Sequence, residues 1–477
     1  MKARLIVFFI WSAFFLGSLA RHTPWRDEYQ SWLVSTRTVN VGEFLNGVSH
    51  ERHPPLHYLV QRGFASLSEG LDLPAKASIE AVTVPFTVGT VLLLLFLLDL
   101  PLLQSVPLIF GTILFREFGL ISRAYALGTF FLFAAIFAHR RQATKWQNTF
   151  LSLSAGTHML FTLISGSLWL LFSWDRRKEV IREWSFWLTG LLFLAIVIFQ
   201  IPPADSSFNR SPDLSFHAFW SFFRHFNQSL WGLEKIWRPF TWNSFAVATD
   251  LMLFLFPLSV AWLKSRLPIW RIFFVVTPPL LLLSTSYDLG TRHLGVVFIG
   301  FVTTYLLFSH PPLANSKFRR WPEPLTIIAA TAFLSSLVWW CRWAPWQSTP
   351  NFDFSGAREL ASSMPDLARN NAIVVTAEAP LFFTWMAEQG TSVYDVQRNS
   401  LLRYPLFIKF STVQTLDDWC SNERTAFVAN NRNNSIFLGT SKNEKLPDSC
   451  QPASLEFTSQ RPTVTDEVFS IYRFSRP

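Results

Sequence analysis

Apolar runs close to bilayer length recur from the first residues almost to Cys341, and this recurrence limits the chain to few architectures. The hydrocarbon core of a bilayer is roughly 30 Å thick, which a helix crosses in about 20 apolar residues. With no water available, each backbone N–H and C=O of such a run must pair within its own segment, so helices are the expected form. The expected fold class is an all-α polytopic membrane protein carrying an α/β domain at its C-terminus. Composition agrees. Half of the residues are hydrophobic and 15% are charged, against about 25% charged in soluble domains. On this reading a soluble enzyme, a disordered chain and a nucleic-acid binder are excluded. The net charge of +9 then belongs to basic cytoplasmic loops and not to a nucleic-acid partner.

The first run, residues 5–20, follows Lys2 and Arg4 and has the look of a signal peptide. The candidate functional residues just beyond it argue that it is retained. Further spans are expected near 82–98, 104–120, 124–138, 149–159, 160–174, 185–201, 246–263, 271–287, 293–308 and 325–341, about eleven in all. An odd count, with basic loops at 139–145, 175–182, 264–271 and 317–320, puts the N-terminus in the cytoplasm and the C-terminus outside. The division is a membrane module over 1–341 and an outer α/β domain over 342–477. Within the module, outer loops cover 21–80, with interfacial helices, and 202–245. In the tail an amphipathic helix, a buried strand at 372–376 and further strands at 426–429 and 435–438 are expected. Cys420 and Cys450 could form one bridge if the tail faces an oxidising compartment, and Cys341 reads as a small buried hydrophobe.

Ionisable residues in or beside a membrane span are costly and carry a functional hypothesis by default. Here they gather on the outer side: Arg26, Asp27 and Glu28, then His50, Glu51, Arg52, His53 and His57, then Arg123 and Tyr125, His158, and Asp288, Arg292 and His293. Adjacent carboxylates can supply a general base and a metal or acceptor ligand. Arginines suit a phosphate through their fixed fork of donors, and histidines bind phosphate or metal or relay protons. Each also has a plainer reading. Asp27 and Glu28 would suit a helix start, Arg123 could snorkel to the interface, and His158 could be structural.

In order along the chain, these segments resemble one family. Trp25-Arg26-Asp27-Glu28-Tyr29 is similar to the acidic Asp-Glu motif of the GT-C membrane glycosyltransferases. His53-Pro54-Pro55-Leu56-His57-Tyr58 resembles the HPPL-Y-Y segment of their glycosyltransferase family 39-like branch, related to the dolichyl-phosphate-mannose-protein mannosyltransferases and here of bacterial type. Ser122-Arg123-Ala124-Tyr125-Ala126-Leu127 is similar to that branch's Ala-Arg-x-Tyr-Ala-Leu segment, and Thr157-His158 and Thr291-Arg292-His293 fall at matching places. The HPPL run recurs at His310-Pro311-Pro312-Leu313, so order and shared side carry the resemblance, which extends over the first ten expected spans.

The resemblance implies an inverting transferase that moves sugar from a polyprenyl-phosphate-linked donor to an acceptor hydroxyl at the outer face of a bacterial inner membrane. Its partners would be that donor, membrane lipids and an acceptor that is lipid, glycan or protein. Asp27 would be the base with Glu28 assisting, and both could hold a divalent metal such as Mg or Mn. His53, His57, Arg123, Tyr125, His158, Arg292 and His293 would bind donor phosphate and substrate. His57 and His293 stand where tyrosine is usual, which points to a different sugar or acceptor. No WWDYG-like sequence is present, which argues against an oligosaccharyltransferase. The rival reading is a lipid-linked-sugar flippase or transporter without transferase chemistry.

Overall fold

The computed structural model describes residues 1–22, 24, 26–71, 73–204, 206, 269–286 and 291–308, with isolated positions beyond and parts of the tail from residue 373. The expected spans at 246–263 and 325–341, the second HPPL run and the expected tail helix lie outside the described residues. Up to residue 308 the described elements are helical. Helix α1 (Lys2–Arg21) is followed by three helices of the first long loop, α2 (Arg26–Arg37), α3 (Val41–His50) and α4 (Leu56–Gly70). Helix α5 (Ala75–Leu92) continues as a π-helical turn, Leu93–Leu97, and α6 (Leu102–Phe110) is followed by a second π-helical stretch, Ile113–Leu120. Then come α7 (Ala124–Arg140), α8 (Thr144–Ala155), α9 (Met159–Asp175), α10 (Arg177–Val180), α11 (Trp184–Phe199), α12 (Ile269–Ser286) and α13 (Thr291–Phe308).

Aromatic side chains fill the space between these helices. Trp11 and Phe15 of α1 stack at 4.7 Å, with Phe115 edge-on to both. Phe118, Phe161 and Phe298 are fully buried beside them. Helices α7 and α8 approach closely at Gly128, whose carbonyl accepts from Ser154 Oγ at 3.0 Å. A Cβ at Gly128 would stand 2.5 Å from the Phe161 ring, so a side chain there must displace a core aromatic.

The expected spans are redrawn in several places. Among the described residues two helices are long and apolar enough to cross a membrane, Lys2–Arg21 and Ala75–Leu97, and five further apolar helices are shorter. The run at 104–120 is not one helix. It breaks at Gly111, where the chain turns extended and a Cβ would lie 2.9 Å from the Pro107 carbonyl; Pro107 also removes a backbone donor from the preceding turn. Helix α5 starts at Ala75, ahead of the apolar run at 82–98, because Lys76 and Glu80 on its first turns pair at 3.5 Å. The pair of spans around His158 is two helices, with α8 ending at Ala155 and His158 capping α9.

Contacts sort the helix ends into two groups. At one end Arg4 donates to Leu100 O at 3.1 Å, Arg140 donates to the carbonyls of Leu98 and Leu306, and Arg271 pairs with Asp175 at 2.8 Å. Cations there meet helix C-terminal carbonyls, the favourable end of the dipole for positive charge. At the other end Leu56 N donates to Gly156 O at 3.0 Å and Ser206 Oγ to His50 O at 3.0 Å. The candidate functional residues gather at this second end.

The tail contains a six-stranded mixed sheet of order β3-β2-β1-β4-β6-β5, formed by β1 (Ile373–Thr376), β2 (Ser392–Asp395), β3 (Ser400–Leu402), β4 (Ile436–Ser441), β5 (Ala453–Thr458) and β6 (Phe469–Phe474). Strand β1 pairs parallel with β2 and β4, and the remaining pairs are antiparallel. The expected strands at 372–376 and 435–438 are thus β1 and β4. Within the expected strand at 426–429 only Phe427 is described; it is helical and packs its ring on Tyr394 at 4.4 Å and Trp419 at 5.5 Å. A four-residue apolar run cannot by itself separate strand from helix.

Helix α14 (Leu416–Asn422) buries Trp419 and presents Cys420 to Cys450, and the two form a disulfide across a separation of 30 residues. In the chain-entropy account such a loop contributes about 3 kcal/mol. Denatured, unreduced protein should therefore expose one labelling thiol, Cys341, and three after reduction; three before reduction would mean that the bridge does not form.

Candidate active site

Helix α2 begins at Arg26 and carries Asp27 and Glu28 in its first turn, where unpaired N–H groups and the dipole favour negative charge. The helix-start reading of this pair is therefore correct as far as it goes. Consecutive residues on a helix point about 100° apart, and the two carboxylates part company. Glu28 is fully buried, with Oε1 accepting from Ser122 N at 2.6 Å and both oxygens 3.1 Å from His22 Nε2. It ties the ends of α1 and α2 to the turn before α7. Its oxygens face protein donors in this structure, and its side chain is closed off from solvent. Asp27 remains half-buried, on the side facing Arg123, Glu51 and His53.

Ser122 is fixed from a second direction: it accepts from Thr83 Oγ1 at 2.7 Å and donates to the Ile79 carbonyl. This fixes the next residue, Arg123, which precedes α7 in extended conformation. Arg123 donates to the Asp27 carbonyl at 2.6 Å and has the acidic and phenolic groups of Asp27, Tyr58, Glu51 and Tyr125 as its electrostatic neighbours. Its guanidinium turns toward the cluster, and the residue keeps intermediate exposure.

Pro54 and Pro55 precede α4, which starts at Leu56. Proline at a helix start costs no backbone donor that would otherwise be used, and the turn directs three polar side chains inward. Tyr58 donates its hydroxyl to Glu51, and Gln30 of α2 also bonds that carboxylate. His53 lies 4.3 Å from the His158 ring, centroid to centroid. His158 Nδ1 accepts from Leu160 N at 3.2 Å, capping α9. That acceptor role leaves its proton on Nε2, directed at Tyr125 Oη 3.4 Å away. Tyr125 stacks on Phe118 at 5.2 Å, and His293 is 6.3 Å from Tyr125 and 6.1 Å from His158.

Burial sets the charges. It raises the Glu51 carboxyl above its ordinary range, against Arg123 and the hydrogen bonds from Tyr58 and Gln30, which lower it. It lowers His53 well below the usual histidine value, with Arg123 adding to the effect. His57 is held at about 3 by the same two causes in the same order. His53 and His57 are neutral at physiological pH, and Arg123 is the cation of the described cluster. Four buried atoms here have no partner: Glu51 Oε1, His53 Nδ1 and both ring nitrogens of His57. Each such atom costs about 1–3 kcal/mol when left unpaired.

Of the residues expected from sequence, Asp27, His53, His57, Arg123, Tyr125, His158 and His293 come together, while the side chain of Arg292 lies outside the described part. Glu51, Tyr58 and Gln30 were not on that list of site residues. Glu51 and Tyr58 stood in plain view beside the HPPL segment, and Gln30 is three residues past Asp27 on the same helix face. Nothing in the sequence pairs His22 with Glu28. Among the described residues no group of three His, Cys, Asp or Glu side chains converges in a way that could hold a metal ion. No protein-family model, curated protein or solved structure matches the chain.

The two depressed histidines give a pH dependence with a definite sign. An unfolded chain protonates them below about pH 6.5, whereas the folded site does not, so stability is present above that pH and is lost as pH falls. Each can contribute a slope of at most about 1.4 kcal/mol per pH unit. The raised Glu51 acts oppositely, its contribution lost as pH rises through its folded value, so the variant that isolates a histidine is the informative one. His57→Gln should therefore be less acid-sensitive than wild type in melting experiments from pH 7.5 to pH 5. Parallel curves for the two proteins would show that His57 is not held neutral.

Proposed function

We propose that this chain is a polytopic membrane glycosyltransferase of the GT-C type, taking sugar from a polyprenyl-phosphate-linked donor and transferring it with inversion to an acceptor hydroxyl. The observation that carries the reading is the convergence of Asp27, Arg123, His53, His57, Tyr125, His158 and His293 at one end of the helical bundle. These residues come from five separate segments, and they are the ones the resemblance singles out. The membrane part of the proposal is supported by apolar faces left uncovered on α1, including Ile6, Phe9 and Phe14, and on α11, including Trp187, Leu191 and Ile198. Exposed apolar surface on this scale suits lipid contact. The site end would face the periplasm of a bacterial inner membrane, with the arginine-rich end in the cytoplasm.

In this mechanism Asp27 takes the proton of the acceptor hydroxyl. The acceptor oxygen then bonds to the anomeric carbon, and the carbon–oxygen bond to the lipid phosphate breaks on the opposite face. The leaving phosphate gains negative charge, which the Arg123 guanidinium stabilises as it grows. Arg292 would assist from the start of α13. Glu28 holds Asp27 and Arg123 in register through Ser122 and takes no part in the proton transfer.

Asp27→Asn keeps size and one acceptor oxygen but cannot accept the proton, and general-base assistance is typically worth about 10²–10⁴ in rate. The purified variant should lose transfer from a radiolabelled polyprenyl-phosphate sugar by about that factor while still binding the donor. Arg123→Ala should raise donor KM, and Arg123→Lys should restore only part because the fork of donors is gone. Near-wild-type turnover by well-folded Asp27→Asn would remove it as the base. Absence of turnover in the wild type would favour the flippase reading.

A further inference from the structure

The four unpartnered atoms on Glu51, His53 and His57 fall within seven residues of the chain. Native proteins leave only a few buried polar atoms unpaired per 100 residues, so such a local group marks a place where something else supplies the partners. Glu51 and His57 are 2% and 1% exposed, which makes bulk water a poor substitute. Glu51 is also held in place, since its other oxygen accepts from Tyr58 and Gln30 bonds the same carboxylate. Arg123 is an electrostatic neighbour of Glu51, His53 and His57 alike. The unsatisfied atoms therefore belong to residues within electrostatic reach of the guanidinium assigned to the donor phosphate.

Their chemistry is selective. A carboxylate oxygen accepts hydrogen bonds, and a neutral imidazole offers one donor and one acceptor nitrogen. Neighbouring hydroxyls of a sugar, each able to donate and accept, match that set. A second phosphate or a uronate would meet the Glu51 carboxylate, an ammonium group would meet Arg123, and a hydrocarbon chain would leave all four atoms unpaired. We infer that Glu51, with His53 and His57, binds the hydroxyls of the donor's sugar and selects a neutral, hydroxyl-rich sugar one bond away from the phosphate at Arg123. The inference rests on reading the site as one for a phosphate-linked sugar.

The test is binding, not turnover. Full-length protein in nanodiscs is titrated with polyprenyl phosphate, polyprenyl-phosphate glucose and polyprenyl-phosphate mannose, following tryptophan fluorescence. Wild type should bind at least one sugar-bearing lipid about tenfold more tightly than the bare lipid, the size expected of roughly one hydrogen bond to a charged group. Glu51→Gln should lose most of that increment while keeping wild-type affinity for the bare lipid, which also shows that it is folded. Tyr58→Phe, which leaves the carboxylate in place, should lose less. The inference is overturned if wild type gains nothing from either sugar, if Glu51→Gln keeps the full increment, or if it weakens bare-lipid binding equally. A sugar increment that depends on Glu51, found together with no turnover, would sink the transferase reading and leave this one standing. Turnover with an increment indifferent to Glu51 would do the reverse.

Discussion

A guanidinium keeps its charge, because arginine does not deprotonate in proteins, and the acidic and phenolic groups at the site end of this molecule gather around the half-buried Arg123. Two carboxylates, Asp27 and Glu51, and two phenols, Tyr58 and Tyr125, are its electrostatic neighbours, and it donates to the Asp27 carbonyl at 2.6 Å. These groups arrive on α2, α4, α7 and the loop after α3, so one half-buried cation ties four elements to one another. The same charge keeps the nearby histidines neutral, which it does by adding to the effect of burial.

The adjacent acids divide the work. Glu28 is spent on structure: His22 on one side and Ser122 N on the other leave it no face toward solvent. Asp27, one position earlier and about 100° around the helix, is directed into the cluster. Glu28 anchors the start of α2, and with it the position of Asp27. The Thr83, Ser122 and Ile79 hydrogen bonds extend that anchoring to α5, so Asp27 and Arg123 are held by one connected set of bonds.

Helix positions were legible wherever an apolar run ends at charge. Helices α7, α9, α11, α12 and α13 begin and end within a few residues of the expected spans for that reason. Hydropathy fails where it is blind. It cannot see that Pro107 and Gly111 break the continuous apolar run at 104–120, nor that Lys76 and Glu80 pair and extend α5 outward. In the tail, β1 and β4 were legible as buried apolar runs, whereas the run around Phe427 was too short to separate strand from helix. In the site, residue types were legible because ionisable groups are conspicuous in an apolar chain. Pairings were not: that Glu28 meets His22 and that Tyr58 meets Glu51 depends on helix rotation and on the turn at Pro54-Pro55, which no spacing rule supplies.

The central claim is that this arrangement moves a sugar off a lipid phosphate, and mass analysis of membrane lipids and surface glycans tests it most directly. Cells with the gene deleted are compared with cells carrying wild type or Asp27→Asn. The account predicts that one sugar disappears from a surface glycan or lipid in the deletion and in the Asp27→Asn strain, while its polyprenyl-phosphate donor accumulates in both. Unchanged glycans with no donor accumulation in either strain would contradict it.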